Sequence, residues 1–397
     1  MRTATGRRLT PVAPAGERIA ALDAVRGVAL FGVLLVNLTT EFRVSIFQQF
    51  LPPVAAGSAL DVALARAIAL ALEGKAFALF SLLFGVGMAI QYEQFAVRGR
   101  ALYWMTRRLL VLLGFGLLHL LLLWNGDILT EYAVVGLLVL PALRWRTTSL
   151  LLAALACLLW FGAQSLLPWT VQWPDAATLQ QQVAQANLVY ASAGYLEIVR
   201  FSFAELALLL PLHLYVMPRT MALFLFGMLV WRSGVLQQPS RYVGRLRGIA
   251  VAGGVAAVLL ARWGSGDGDG AATWASLLPL LPMVPVLLCF AYGAALLALM
   301  QWTAPRRVLL GFAPLGRMAF TNYLMQSVLG GWLFFGYGLG WFGHLAVAPV
   351  CALALVVYLA QMALSSYWLR HFRYGPLEWL WRLLARGRGR ISPASPL

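Results

Sequence analysis

The sequence predicts an all-α polytopic membrane bundle, and three observations carry that prediction. Of its 397 residues, 61% are hydrophobic and only 11% charged, a balance unlike that of water-soluble domains. Apolar runs long enough to cross a bilayer recur from end to end. The arginines gather in short stretches between those runs, where they set orientation, so the formal charge of +16 reflects membrane topology. No basic patch interleaved with aromatics lies on a soluble segment, which argues against a nucleic-acid partner. The lipid bilayer is the partner this composition names. Cys157, Cys289 and Cys351 are isolated in apolar runs, without disulfide or metal spacing. Nothing points to a permanently bound cofactor.

The first span is the most informative. Arg18 to Asn37, RIAALDAVRGVALFGVLLVN, is apolar except for one stripe: at about 100° per residue, Asp23, Arg26 and Asn37 fall in a single narrow sector. Ionisable groups are expensive at membrane depth, so the stripe suggests an inward-facing site. The simpler alternative is that Asp23 and Arg26 mark the end of the span and reach the headgroups. The run keeps its charges and lacks a small-x-small cleavage site, so it is expected to be a retained signal-anchor.

Further spans are expected near 75–92, 104–123, 128–143 and 148–168, then near 219–235, 247–262, 274–300, 314–336 and 344–369. About ten spans with most arginines on one side would place both termini in the cytoplasm. Residues 60–72 and 195–217 resist this scheme because charges or Pro211 interrupt them, and they read as in-plane or re-entrant segments at the outer face. The expected layout is a cytoplasmic tail over 1–17, an N-terminal membrane half over 18–168 holding the candidate core, and an outer loop with the irregular segment over 169–218. A C-terminal membrane half over 219–382 and a basic tail over 383–397 complete it.

Polar groups are scarce in such a chain, so each carries information. Trp124-Asn125-Gly126-Asp127 reads as a tight turn that makes spans three and four a hairpin. It brings His119 within one to two turns of Asp127 and Glu131, an imidazole near carboxylates in the arrangement of an oriented general base. A structural interhelical bond is the alternative use of the same groups. Glu41, Glu73, Tyr132 and Lys75, the single lysine of the chain, belong to the same outer end. His213 and His344 are weaker candidates. At the inner end Arg26 is joined by Arg317, Asn322 and Gln326, the last two sharing a helix face. Arginines there suit a phosphorylated donor, or serve as topology anchors with the amides as packing glue.

The blocks LDAVRGVALFGVLLVN at 22–37, KAFALFSLLFGVG at 75–87, HLLLLWNGDILTEYAVVGL at 119–137, PLGRMAFTNYLMQS at 314–327, YGLG at 337–340 and GPLEWLWR at 375–382 resemble the bacterial membrane family called domain of unknown function 418, the YeiB-like proteins. That likeness implies a multi-pass protein of the bacterial cytoplasmic membrane. The first block is also similar to the opening of the acyltransferase family 3 and heparan-glucosaminide acetyltransferase-like proteins. Those enzymes move an acyl group, usually from cytoplasmic acyl-coenzyme A, to a sugar or related acceptor at the opposite face. The family 3 pattern places a histidine where this chain has Asn37, and the second pattern places one shortly after the Asn, where residues 37–51 contain none.

The resulting expectation is acyl transfer to a hydroxyl or amine of a sugar, lipid or small-molecule acceptor. Arg26 and Arg317 would bind the acyl-CoA phosphates, with Asn37 and Asn322 beside the thioester. His119, oriented by Asp127 or Glu131, would act as base, and Asp23, Lys75, Tyr132 and Gln326 would support it. Arg26 and Asn37 lie about 16 Å apart along the helix, a gap for an extended pantetheine arm. The alternative function is transport or export of a lipid-like or small amphiphilic metabolite through the same residues.

Overall fold

The computed structural model describes residues 15–51, 57–97, 99–167, 170–264 and 282–386, all helical or irregular. The expected tail over 1–14, the start of the span at 274–281 and the tail end over 387–397 lie outside the described residues.

Helix α1 (Ala15–Val36) runs into a π-helical turn, Asn37–Phe42. Next come α2 (Ala59–Ala71), α3 (Lys75–Ala96), α4 (Ala101–Leu122) and α5 (Leu129–Val139). They are followed by α6 (Thr147–Ala163), α7 (Ala176–Ser192), α8 (Tyr195–Arg232) and α9 (Val243–Gly264). The last part holds α10 (Val284–Leu299), α11 (Thr303–Leu310), α12 (Ala313–Arg317), α13 (Ala319–Phe334), α14 (Val347–His371) and α15 (Pro376–Arg386).

Among the described residues 7 helices are long and apolar enough to cross a membrane, or 8 if α10 and α11, bent by 116°, form one broken span. Helices occupy all ten expected places, so the lower number reflects length. Helix α5 has 11 residues and α13 has 16, each short of a full crossing by itself. Both have buried faces in the protein interior, where a short helix needs no lipid match.

One of the two irregular segments departs from the expectation. Residues 195–217 are no separate in-plane element: they are the first half of the 38-residue helix α8, which continues through Pro211 and Pro218 to Arg232. Such a helix is about 57 Å long, so it tilts or extends past the hydrocarbon. Residues 60–72 form α2, capped by Ser58 and Asp61 and separated from α3 by Gly74 in a left-handed conformation. The Asp61 carboxylate also accepts from the backbone N–H of Ala348 at 2.8 Å, tying α2 to the start of α14.

Close helix crossings rest on glycine. A Cβ at Gly85 of α3 would collide with the backbone of Phe224, and one at Gly227 of α8 with the carbonyl of Leu82. Without a hydrophobic drive between helices in lipid, such approach supplies the packing. In the first half of α8, Glu205 accepts from Asn125 Nδ2 (2.6 Å), Gln182 Nε2 (2.9 Å) and the Tyr190 hydroxyl (2.5 Å), fastening α7 and α8 to the 124–127 turn. Burial, and then the Glu205 charge, hold the Tyr190 phenol well above its ordinary pKa, so it donates at every physiological pH.

Gly227→Ala is expected to lower stability by about 1–3 kcal/mol through backbone overpacking. Gly114→Ala, where nothing lies within 4 Å, should leave the melting temperature in detergent unchanged or higher.

Candidate functional site

Two cavities of opposite character meet inside the bundle. At the arginine-rich end, α1 and α12 touch backbone to backbone, because a Cβ at Gly27 would strike the carbonyl of Phe312 and one at Gly316 that of Asp23. That contact brings Arg26 and Arg317 onto one cavity of about 240 Å³, shared with Arg108, Arg382, Gln91 and Glu378. Asp23 sits behind the cavity and accepts from Arg26 Nη1 at 3.0 Å. Arg317 donates to the Arg373 carbonyl at 3.2 Å. Glu378 is committed to the start of α13, accepting from Thr321 N–H (3.0 Å) and Oγ1 (2.6 Å). Four guanidinium groups thus face one engaged carboxylate, an electrostatic setting for an anionic, phosphate-bearing ligand.

The floor of this cavity is α15, an amphipathic helix suited to the membrane interface. Its Trp381 donates to the Arg108 carbonyl at 2.9 Å and lies under the Arg108 guanidinium at 3.7 Å. Arg107 donates to the Leu384 carbonyl at 3.1 Å.

The opposite cavity, about 430 Å³, is lined by Glu41, Glu73, Lys75, Asp127, Glu131, Tyr132, His213, Arg219 and Thr220 among others. Four of the 14 acidic residues of the chain converge here. The π-helical turn at the end of the first span delivers Glu41, a distortion of the kind that recurs at functional sites. Thr39 and Thr40 support it by bonding back to Leu35 O (2.7 Å) and Val36 O (2.8 Å). Lys75 donates to Ala69 O at 2.7 Å, so part of its charge is spent on the end of α2.

The structure sets His119 beside one of its two expected partners and pairs Glu131 elsewhere. His119 has Asp127 Oδ1 2.8 Å from its Nδ1, but Glu131 is not its partner. The ring is 1% exposed, packs 5.3 Å from Tyr323, lines neither cavity and has no hydrogen-bond partner for either nitrogen in hydrogen-bond geometry. Asp127 caps α5, accepting from Leu129 N–H (3.1 Å) and Thr130 N–H (2.6 Å). Glu131 instead accepts from Thr220 Oγ1 (2.5 Å) and lies 3.4 Å from His213 Nδ1. His213 lines the cavity, and the engagement of Nδ1 leaves Nε2 for a proton.

The two cavities share Ile128 and Tyr132 as lining residues. The Tyr132 hydroxyl donates to Phe77 O at 3.0 Å and lies 2.8 Å from Ser81 Oγ, which fixes this partition.

Homology covers nearly the whole chain. It is 34% identical over 391 residues to the uncharacterized protein YxaH of Bacillus subtilis, spanning 92% of this chain and 94% of the relative. It is 33% identical over 389 residues to the uncharacterized protein YeiB of Escherichia coli, spanning 93% and 96%. A family described as "Protein of unknown function (DUF418)" matches residues 230–388. The chain belongs to the DUF418 family. No solved structure matches it.

In this DUF418 protein the remaining expected residues divide by location. Asn37 is buried with Oδ1 unpartnered and lines neither cavity. Asn322 and Gln326 form a buried ladder between α13 and α14: Asn322 Nδ2 donates to Ser365 Oγ (2.9 Å), Gln326 Nε2 to Gln361 Oε1 (2.8 Å) and Gln361 Nε2 to Asn322 O (3.1 Å). This is interhelical glue. Arg108, Arg382 and Gln91 were absent from the sequence-based set. Arg108 and Arg382 sit in segments that read as topology-setting charge and Gln91 at the end of an apolar span, and the packing of α15 against α4 and α13 helps turn them into walls of one cavity.

His119→Ala should cost about 2–5 kcal/mol, the range for emptying a fully buried side-chain site. His213→Ala, at a partly open pair, should cost under about 1 kcal/mol. Thermal unfolding of the two purified variants checks the difference. Glu378→Ala should release α15 and raise protease cleavage between His371 and Pro376 severalfold.

Proposed function

We propose that this protein is a membrane-embedded acyltransferase that takes an acyl group from an acyl-CoA at the arginine cavity and delivers it to a hydroxyl or amine acceptor in the acidic cavity. The observation that carries this reading is that the two oppositely charged cavities share Ile128 and Tyr132 as a wall. A donor with anionic phosphates and an acceptor with protic groups would each find complementary surroundings within one wall of each other. With the arginine-rich end facing the cytoplasm, the donor enters from the side where acyl-CoA is made.

In this scheme Arg26 and Arg317, with Arg108 and Arg382, hold the donor phosphates. His213, oriented through Nδ1 by Glu131, accepts the proton from the acceptor O–H or N–H at Nε2. The acceptor oxygen or nitrogen forms a bond to the thioester carbonyl carbon, the carbon–sulfur bond breaks, and the thiolate leaves with that proton. His119 is assigned no proton transfer here. It orients Asp127, which in turn caps α5 and so positions Glu131.

A second reading, export of a small amphiphile, is favoured by Pro211 and Pro218 on α8, which flank His213 and remove backbone N–H donors beside the acidic cavity.

Acyl-CoA binding and thioester hydrolysis by the purified protein in nanodiscs separate the readings. Arg26→Ala and Arg317→Ala are expected to weaken donor binding at least tenfold, and His213→Ala or Glu131→Gln to reduce turnover about 100-fold with binding retained. Absence of binding and cleavage across short- and long-chain donors would refute acyl transfer and leave substrate flux in proteoliposomes as the deciding measurement.

A further inference from the structure

A third cavity, of about 280 Å³, lies apart from the two above, between α1, α3, α9, α10 and the end of α8. Its walls are aliphatic apart from Phe290 and, at one end, Ser233, Tyr242 and Arg245. Polar groups at one end and hydrocarbon along the rest match an amphiphile in both composition and direction. Ser233 follows the end of α8, Tyr242 precedes α9, and Arg245 lies in the first turn of α9, within the arginine cluster 241–247. That is where a headgroup would lie if the arginine-rich end faces the cytoplasm.

The cavity borders lipid. On the outward face of α9, Val251 is 66% and Val255 53% exposed, so a chain from the surrounding leaflet has a route along this helix. Arg245 makes no ion pair among the described residues; its guanidinium has only the Tyr242 ring, at 5.7 Å. Arg247, two residues away, is stacked at 4.6 Å on Trp302 and does not line the cavity. The cluster therefore presents Arg245 as the charge positioned to meet a phosphate at the cavity mouth. Basic pockets between spanning helices on the cytoplasmic side are the sites that anionic headgroups select.

We propose that this cavity binds one acyl chain of an anionic phospholipid from the bilayer, with the headgroup phosphate on Arg245 and the chain running inward past Gly293. Gly293 gives the chain its room: a Cβ there would sit 3.6 Å from Leu79 Cδ1, in ordinary contact, whereas a larger side chain would occupy the passage. Leu83 is a wall of both this cavity and the arginine cavity, so lipid occupancy would stiffen α3 where it borders the other site. The proposal does not depend on acyl transfer.

The test is native mass spectrometry of the full chain in detergent, titrated with dioleoyl phosphatidylglycerol or with dioleoyl phosphatidylcholine. One phosphatidylglycerol per chain should be retained, roughly fivefold more tightly than phosphatidylcholine, the preference expected of one interfacial arginine. Arg245→Gln should abolish that preference, Arg247→Gln should keep it, and Gly293→Leu should weaken both lipids. Arg245→Gln alters an exposed side chain, so it tests the headgroup contact even if Gly293→Leu fails to fold. Equal retention of the two lipids by the wild type would overturn the proposal, as would equal losses with Arg245→Gln and Arg247→Gln.

Discussion

In hydrocarbon an unpaired polar group has no water to fall back on, and that constraint organises this protein. Among the described residues, buried polar side chains bond back to their own helix, close a bond to a neighbouring one or face a cavity, with Asn37 Oδ1 among the exceptions. Asn322, Gln326, Gln361 and Ser365 join α13 to α14, and Glu205 joins α8 to α7 and the 124–127 turn. Charged groups that these networks do not absorb collect around two cavities. Four arginines line one and four carboxylates the other, with Tyr132 between them.

Backbone proximity is the second requirement. Gly27 against Phe312, Gly316 against Asp23, and Gly85 and Gly227 against their facing helices allow crossings that any side chain would hold apart. Each crossing has a consequence for the site. The α1–α12 contact aligns Arg26 with Arg317. The α3–α8 contact sets the Phe84 ring 4.8 Å from Phe224, against which the Tyr132 ring also packs at 5.3 Å. The geometry of both cavities therefore depends on glycine contacts between helices.

The two histidine–carboxylate pairs have different uses. His119 is enclosed away from both cavities, and its neighbour Asp127 spends its remaining capacity on the first turn of α5. His213 and Glu131 stand at a cavity, one nitrogen engaged and the other available. Enclosure suits a group that fixes a helix end, while contact with a cavity suits one that exchanges a proton with a ligand.

The sequence by itself determined the class of the protein, the places of its helices and the two polar ends, because each follows from local composition: apolar length, arginine placement and the Trp124–Asp127 turn. It also placed His119 near Asp127 and Glu131, since a hairpin fixes near neighbours, and left open which of the two it meets. Tertiary structure alone decided which residues share a cavity. His213 meets Glu131 across 82 positions, and Glu378 meets Thr321 across 57, separations over which sequence spacing carries no distance. It also removed Asn37, Asn322 and Gln326 from the cavities, because the packing of neighbouring helices decides whether a polar stripe faces a cavity or another helix.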